Sequence, residues 1–178
     1  MKTIVWITLC AALVACGDKQ EPAPTTKKAP EVSTELAAAM ASSPLGDGMS
    51  VADAKAKQSA DEVVVVGRIN NIVAGFAAFN ITDLKLEYCG EKTAEDCKTP
   101  WDYCCTPNKE QTANRISVAI YGKDGEILRA PELGNLRLLD KVTVKGKLTT
   151  DEHGNTELHA TLVHRDERPT LPDGLRWP

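Results

Sequence analysis

Six cysteines occur in this 178-residue chain, and four of them, Cys89, Cys97, Cys104 and Cys105, crowd one short segment. Thiols so placed have three kinds of chemistry open to them. Oxidised in pairs they form two disulfides; deprotonated together they hold a thiophilic ion such as Zn(II) or Cu(I); as a reactive pair they exchange electrons. Each makes its own demand on spacing. Of the three ways to pair four cysteines, Cys89 with Cys97 and Cys104 with Cys105 requires a strained ring between chain neighbours. Bridges from Cys89 and Cys97, each to one member of the adjacent pair, are therefore the preferred connectivity. Each would close a short loop and contribute about 3 kcal/mol. A metal site built from all four thiolates is the alternative, against which stand the missing two-residue chelate interval and the adjacency of Cys104 and Cys105. No Cys-x-x-Cys is present to support a redox pair.

The same segment carries Tyr88, Trp101 and Tyr103 in a chain that is only 4% aromatic. Together they are candidates for a binding surface, since rigid aromatics offer contact area with little entropy left to lose. Asp102, between two of them, reads as a turn cap. Elsewhere the chemistry thins out. There are three histidines: His153 lies in a turn, and His159 and His164 are five apart on a strand, hence expected on opposite faces, so a shared ion is not expected. Lys141, Lys145 and Lys147 read as a solvated strand face, with contact to an anionic glycan or lipid as the sharper alternative. Walker, nucleophile-elbow and zincin signatures are absent from the sequence, which points to a non-enzymatic protein without a cofactor. A net charge of -4 argues against nucleic acid as a partner.

Which thiol chemistry applies depends on the compartment, and the N-terminus speaks to that. Lys2 followed by an uncharged apolar run through Val14 has the form of an export signal, too short to span a bilayer. It ends in Leu13-Val14-Ala15-Cys16, which resembles the bacterial lipobox. The resemblance implies cleavage after residue 15 and acylation of Cys16 by palmitate-type chains. Two or more chains on one residue give stable anchoring where one would be marginal. Gly17 stands where the inner-membrane retention signal has Asp, which favours the outer membrane. The expected location is thus the bacterial cell envelope, lipid-anchored, in an oxidising milieu that favours the two disulfides.

The rest of the chain divides by composition. Residues 16–49 hold the lipidated cysteine and a segment with four prolines and no aromatic, expected to be a disordered tether with a mean span of roughly 30 Å. Within it, 32–42 has helical propensity. Ser50 and Asp53 form a capping box that opens a short helix to about residue 58. Five strands follow from their β-branched or alternating character, at 62–69, 76–83, 115–121, 141–148 and 156–165. Gly67 suggests a bulge or bend in the first, and the inward faces are Ala77, Phe79 and Ile81; Ile116, Val118 and Ile120; Val142, Val144 and Leu148; Leu158, Ala160 and Leu162. Residues 151–155 make a hairpin turn, and 132–139 suggests a short helix between the third and fourth strands.

Five strands, a Val-x-Gly-x-Ile first strand and a Val-x-Val-x-Gly fourth resemble the OB-fold, a five-stranded Greek-key barrel. The fold class expected is therefore mainly β: a five-stranded OB-like barrel with a Cys-rich insertion between strands two and three, preceded by a signal peptide and a tether. The domains would be 1–15, 16–49, 50–168 with the insertion at 84–114, and a tail at 169–178. Small periplasmic OB-like domains, including the haem-chaperone type, are similar, although no His-bearing haem-attachment motif is present. The Pro100-Trp101-Asp102-Tyr103-Cys104-Cys105 run after Cys89 and Cys97 resembles lipoproteins of planctomycete-type bacteria, which implies no particular activity. OB-folds commonly bind on the face of strands two and three, which places Tyr88, Trp101 and Tyr103 at its rim; the alternative is that they roof the open end of the barrel. The function expected is a lipid-anchored, non-enzymatic binding domain for an envelope protein, peptide or glycan. A metal or thiol-redox protein using Cys89, Cys97, Cys104 and Cys105 is the alternative.

Overall fold

The computed structural model describes residues 33–91 and 99–170. The signal segment, Cys16, Cys97 and 171–178 lie outside the described residues. All five expected strands form: β1 (Ala60–Ile72), β2 (Ala78–Thr82), β3 (Arg115–Ala119), β4 (Lys141–Thr150) and β5 (Thr156–Glu167). They close into a barrel in the order β1-β2-β3-β5-β4, with β3 and β5 parallel and the other neighbours antiparallel. This is the expected OB-like barrel.

Closure depends on the length of β1. Its first half pairs with β4, Val63 opposite Gly146 through Arg68 opposite Lys141, and its second half pairs with β2 from Arg68 to Ile72. One strand thus serves two neighbours and bends between them. The bend is a bulge at Asn70, where the β1–β2 register shifts between Ile69 and Asn71. The bulge expected at Gly67 does not form, for Gly67 pairs regularly with Val142. Its missing side chain serves a close approach instead: a Cβ there would meet Val51 of an overlying helix at 3.2 Å and the Thr82 carbonyl at 3.0 Å.

Alternation fills the interior. Val65, Ile69, Phe79, Ile81, Ile116, Val118, Val142, Val144, Leu148 and Leu158 are all essentially sealed from solvent. Burial of such side chains stabilises by about 1.5–3 kcal/mol each before ordering entropy is set against it. One inward assignment is corrected. The β4–β5 register shifts so that Gly146 faces Ala160 while Lys145 faces Leu162, leaving Thr161 as an extra residue. The extra residue reverses the alternation, so Val163 is buried and Leu162 only half so. For the same reason His159 and His164, expected on opposite faces, both lie outside. His159 pairs with Glu157 at 3.1 Å and stacks on Tyr121, whereas His164 meets the Ala41 carbonyl at 3.0 Å.

Helix α2 (Val51–Lys57) packs over the barrel with Val51 and Ala54 buried. Its N-cap is present, the Ser50 hydroxyl oxygen accepting from the Asp53 amide at 3.1 Å, but the Asp53 carboxylate accepts the Ser50 hydroxyl at 2.8 Å where a full capping box would take the Ser50 amide. From β2's end, Asp83 also accepts the Ala52 amide at 2.9 Å. Parts of 34–49, expected to belong to the disordered tether, lie against the barrel instead. Helix α1 (Thr34–Ala39) buries Leu36 and Ala39, the Ala41 amide donates to Val163, and Met49 is bonded into β1 through Val64 and Val66. Two apolar residues three apart make a docking stripe that a count of aromatics overlooks. The helix expected at 132–139 is absent. Leu139 takes a positive φ of 65°, and this stretch bonds outward to β1, with Leu139 donating to Ile69 and Ile69 to Asp140.

Candidate functional site

The insertion between β2 and β3 starts where Asp83 turns the chain, its carboxylate accepting the Lys85 amide at 3.1 Å. It holds a one-turn 3₁₀ helix at Cys89–Glu91 and helix α3 (Asn108–Ala113), which leads into β3. Two remote stretches meet backbone to backbone. The Cys89 amide donates to the Asp102 carbonyl at 2.8 Å and the Gly90 amide to Pro100 at 2.7 Å. Glycine eases that approach, since a Cβ on Gly90 would sit 3.0 Å from the Pro100 oxygen and force its neighbours to give by a few tenths of an ångström.

A β-turn closes from Tyr103 to Thr106, whose amide donates to the Tyr103 carbonyl at 2.9 Å. Cys104 and Cys105 occupy its two central positions. That placement brings both thiols to one side, and the divergence expected of adjacent cysteines does not occur. Cys89 Sγ lies 3.3 Å from Cys104 Sγ and 3.8 Å from Cys105 Sγ, and the latter two are 3.9 Å apart. Cys89 is buried, while Cys104 and Cys105 are exposed. A disulfide needs about 2.05 Å, so none of these three contacts is a covalent bridge in this structure. Of the preferred pairings, Cys89 with Cys104 is the nearer; any pairing through Cys97 lies outside the described residues.

The aromatics divide. Tyr103 is 2% exposed and forms a second small core with Leu86 and Leu139, separate from the barrel interior. It is therefore removed from the proposed contact surface. Burial pushes its phenol up to about 12, with the charge and hydrogen-bonding contact of the Arg68 guanidinium acting the other way. Its hydroxyl makes no well-formed hydrogen bond among the described residues; its polar neighbour is the Arg68 guanidinium, whose Nη1 is likewise unpaired. Tyr88 and Trp101 are half-buried and pack against this core, leaving part of each at the surface. Asp102 caps a turn as expected, accepting the Tyr103 amide at 2.7 Å.

Arg68, which the sequence did not single out, locks the insertion to the barrel. Its guanidinium lies 4.8 Å from the Tyr88 ring centroid and 3.0 Å from Glu91. An outward arginine in the middle of a β-branched strand was the signal available. With Leu139 also in the second core, the insertion leans on β1 and on the loop before β4. The lysine row behaves as a solvated face: Lys145 pairs with Glu62 at 3.1 Å and Lys147 with the fully exposed Asp61 at 3.4 Å. Thr143 in that row is buried, donating to Asp166 at 2.8 Å.

Fold and site together define a class: an OB-like barrel bearing a cysteine-rich insertion on its outer side. No protein-family model matches the chain, and no curated protein matches it. Among solved structures it is similar to two OBody proteins, each bound to hen egg-white lysozyme. OBody AM1L10 matches with a TM-score of 0.42 and 12% identity over 71% of this chain and 99% of that one. OBody AM2EP06 matches with a TM-score of 0.41 and 11% identity over 71% of this chain and all of the other.

Proposed function

We propose that this chain is a lipid-anchored protein of the bacterial cell envelope, held through Cys16, whose OB-like barrel is a non-enzymatic module that binds an envelope protein, peptide or glycan. Trp101 carries the reading. It is a half-buried indole on a segment pinned at Cys89, Gly90 and Arg68, so its exposed part is presented in one orientation. A barrel interior filled by its own side chains directs recognition to the outer surface, and Tyr88 and Trp101 supply apolar area there. Leu13-Val14-Ala15-Cys16 supports the anchor. Among the described residues no helix is long and apolar enough to cross a membrane.

Two measurements test this. Intact mass of detergent-extracted protein should show acyl groups on a chain that begins at Cys16, and Cys16→Ala should leave the membrane fraction. An unmodified, soluble wild-type chain would end the anchoring idea. Trp101→Ala should lower capture from envelope extract more than it lowers the melting temperature. A fall of many degrees with capture unchanged would make Trp101 a packing residue only.

A further inference from the structure

We infer that Cys89, Cys104 and Cys105 form a tetrahedral thiolate site for Zn(II), and that the bound ion is what secures the insertion on the barrel. This stands apart from the envelope reading and rests on a different observation, the sulfur triangle. A disulfide would bring one of these pairs to about 2.05 Å and leave the other two contacts wider. Here three sulfurs lie 3.3, 3.8 and 3.9 Å from one another. In a zinc–thiolate tetrahedron with Zn–S of about 2.3 Å, neighbouring sulfurs are about 3.8 Å apart. An ion about 2.3 Å from each of these three would stand about 0.9 Å off their plane, where a regular tetrahedron needs about 0.8 Å. The Cys89–Cys104 edge has to open by about half an ångström.

The scaffold suits a site of this kind. Cys89 comes from the start of a 3₁₀ turn, and the adjacent pair from the two central positions of a β-turn. Backbone bonds from Cys89 to Asp102 and from Gly90 to Pro100 clamp these two turns together. No described His, Asp or Glu joins the three thiols within ligating reach, so the fourth position falls to a group outside the described side chains. The insertion also has cause to depend on a metal. Its buried cluster is Leu86, Tyr103 and Leu139, and a metal holds such a segment by linking its binding free energy to folding. Each ligand enters as thiolate: as an S–Zn bond forms, a protonated thiol gives its proton to solvent, so uptake weakens as pH falls. No electron is transferred, and no oxidant is needed.

The test uses the full chain extracted in detergent under argon. Zinc per chain is measured, then cysteines are alkylated under denaturing, non-reducing conditions with chelator. The expected result is one zinc per chain and alkylation of Cys89, Cys104 and Cys105. Exchange with Co(II) should give the thiolate charge-transfer and d–d bands of a tetrahedral sulfur-rich site. Cys105→Ser, an exposed position that leaves packing intact, and Cys89→Ser should each weaken zinc binding by roughly 100-fold or more. Chelation of the wild type should speed amide exchange at Cys89 and Gly90 while Val144 in β4 stays protected. Absence of zinc with these cysteines resistant to alkylation overturns the proposal in favour of disulfides. So does zinc affinity equal to that of Cys105→Ser, or uptake of Cu(I) without uptake of Zn(II). Membrane attachment is read on the same sample, and its loss would count against the envelope role alone.

Discussion

In the barrel, Phe79, Ile81, Ile116 and Leu158 are sealed inside a ring of strands that satisfies its own backbone. The insertion buries Leu86 and Tyr103 against Leu139 of the loop before β4, and its backbone is pinned at a few points such as Cys89–Asp102 and Gly90–Pro100. The two regions meet through Arg68, which belongs to β1 yet bonds to Glu91 and covers Tyr88. Apolar area scales with the number of inward positions, and a closed barrel has many while a short loop has few. A region that cannot bury enough must be held by other means; in this chain Arg68 is one, and the ion proposed for the three converging sulfurs would be another. Stability and reactive chemistry are thereby placed in different parts of one domain.

The comparison predicts unequal responses to substitution. Phe79→Ala should have the largest effect, costing about 3–5 kcal/mol through lost transfer energy and the cavity left behind. Its denaturant midpoint should fall, and the Trp101 fluorescence signal should melt with the barrel signal. Persistence of the Trp101 signal after the barrel has melted would mean that the insertion folds without its support.

Arg68→Ala should come next, at about 1–2 kcal/mol, because it removes a cation from both Glu91 and Tyr88 at a site largely screened from water. The loss should appear as faster exchange at Glu91 and Gly90, with the strands β4 and β5 little changed. Uniform loosening of the barrel would show that Arg68 serves the sheet more than the insertion.

Tyr103→Phe should have a small effect at neutral pH, since the buried hydroxyl it deletes makes no well-formed hydrogen bond and only approaches the Arg68 guanidinium. Its signature is at alkaline pH. The fold holds the Tyr103 phenol up to about 12 against an ordinary value near 10, so the neutral form is the one the folded state favours. That contribution is complete below pH 10 and is lost as pH rises through about 12. Melting temperatures across that window should fall more steeply for the wild type than for Tyr103→Phe. Part of the slope will remain, because a hydrogen bond to Glu157 raises Tyr121 to about 12 as well. Identical slopes would mean that Tyr103 is already solvated. Smallest of all, Lys145→Ala should change stability by less than about 0.5 kcal/mol, because a surface pair with Glu62 contributes little.

Much of the barrel was legible, and the reasons are local. β-branched runs and period-two alternation specify strands wherever one face is buried, and Phe79, Ile81, Val142 and Val144 do point inward as that pattern requires. The Ser50 cap and the turn after Asp151, where Asp151 accepts the amides of His153 and Asn155, involve groups only a few residues apart. The candidate site was legible only in part. The sequence marked Cys89, Cys104, Cys105 and Trp101 as belonging together, because they are neighbours in the chain. It left Tyr103 on the surface, where the structure buries it, and it passed over Arg68, whose partners lie far along the chain.

What the sequence determined by itself was thus the period of each strand, the caps and turns that bound them, and the segment in which the thiols lie. Those follow from interactions between near neighbours, which any conformation of the chain retains. The tertiary structure alone decided the rest. It placed Thr161 as an extra residue that turns Val163 inward, and it paired Leu139 with β1 in place of a helix. It docked Leu36 and Ala39 on the barrel, and it set Cys104 and Cys105 side by side facing Cys89. Each of these depends on a partner remote in sequence, and a register or a turn is chosen by what the closed barrel leaves for it to pack against.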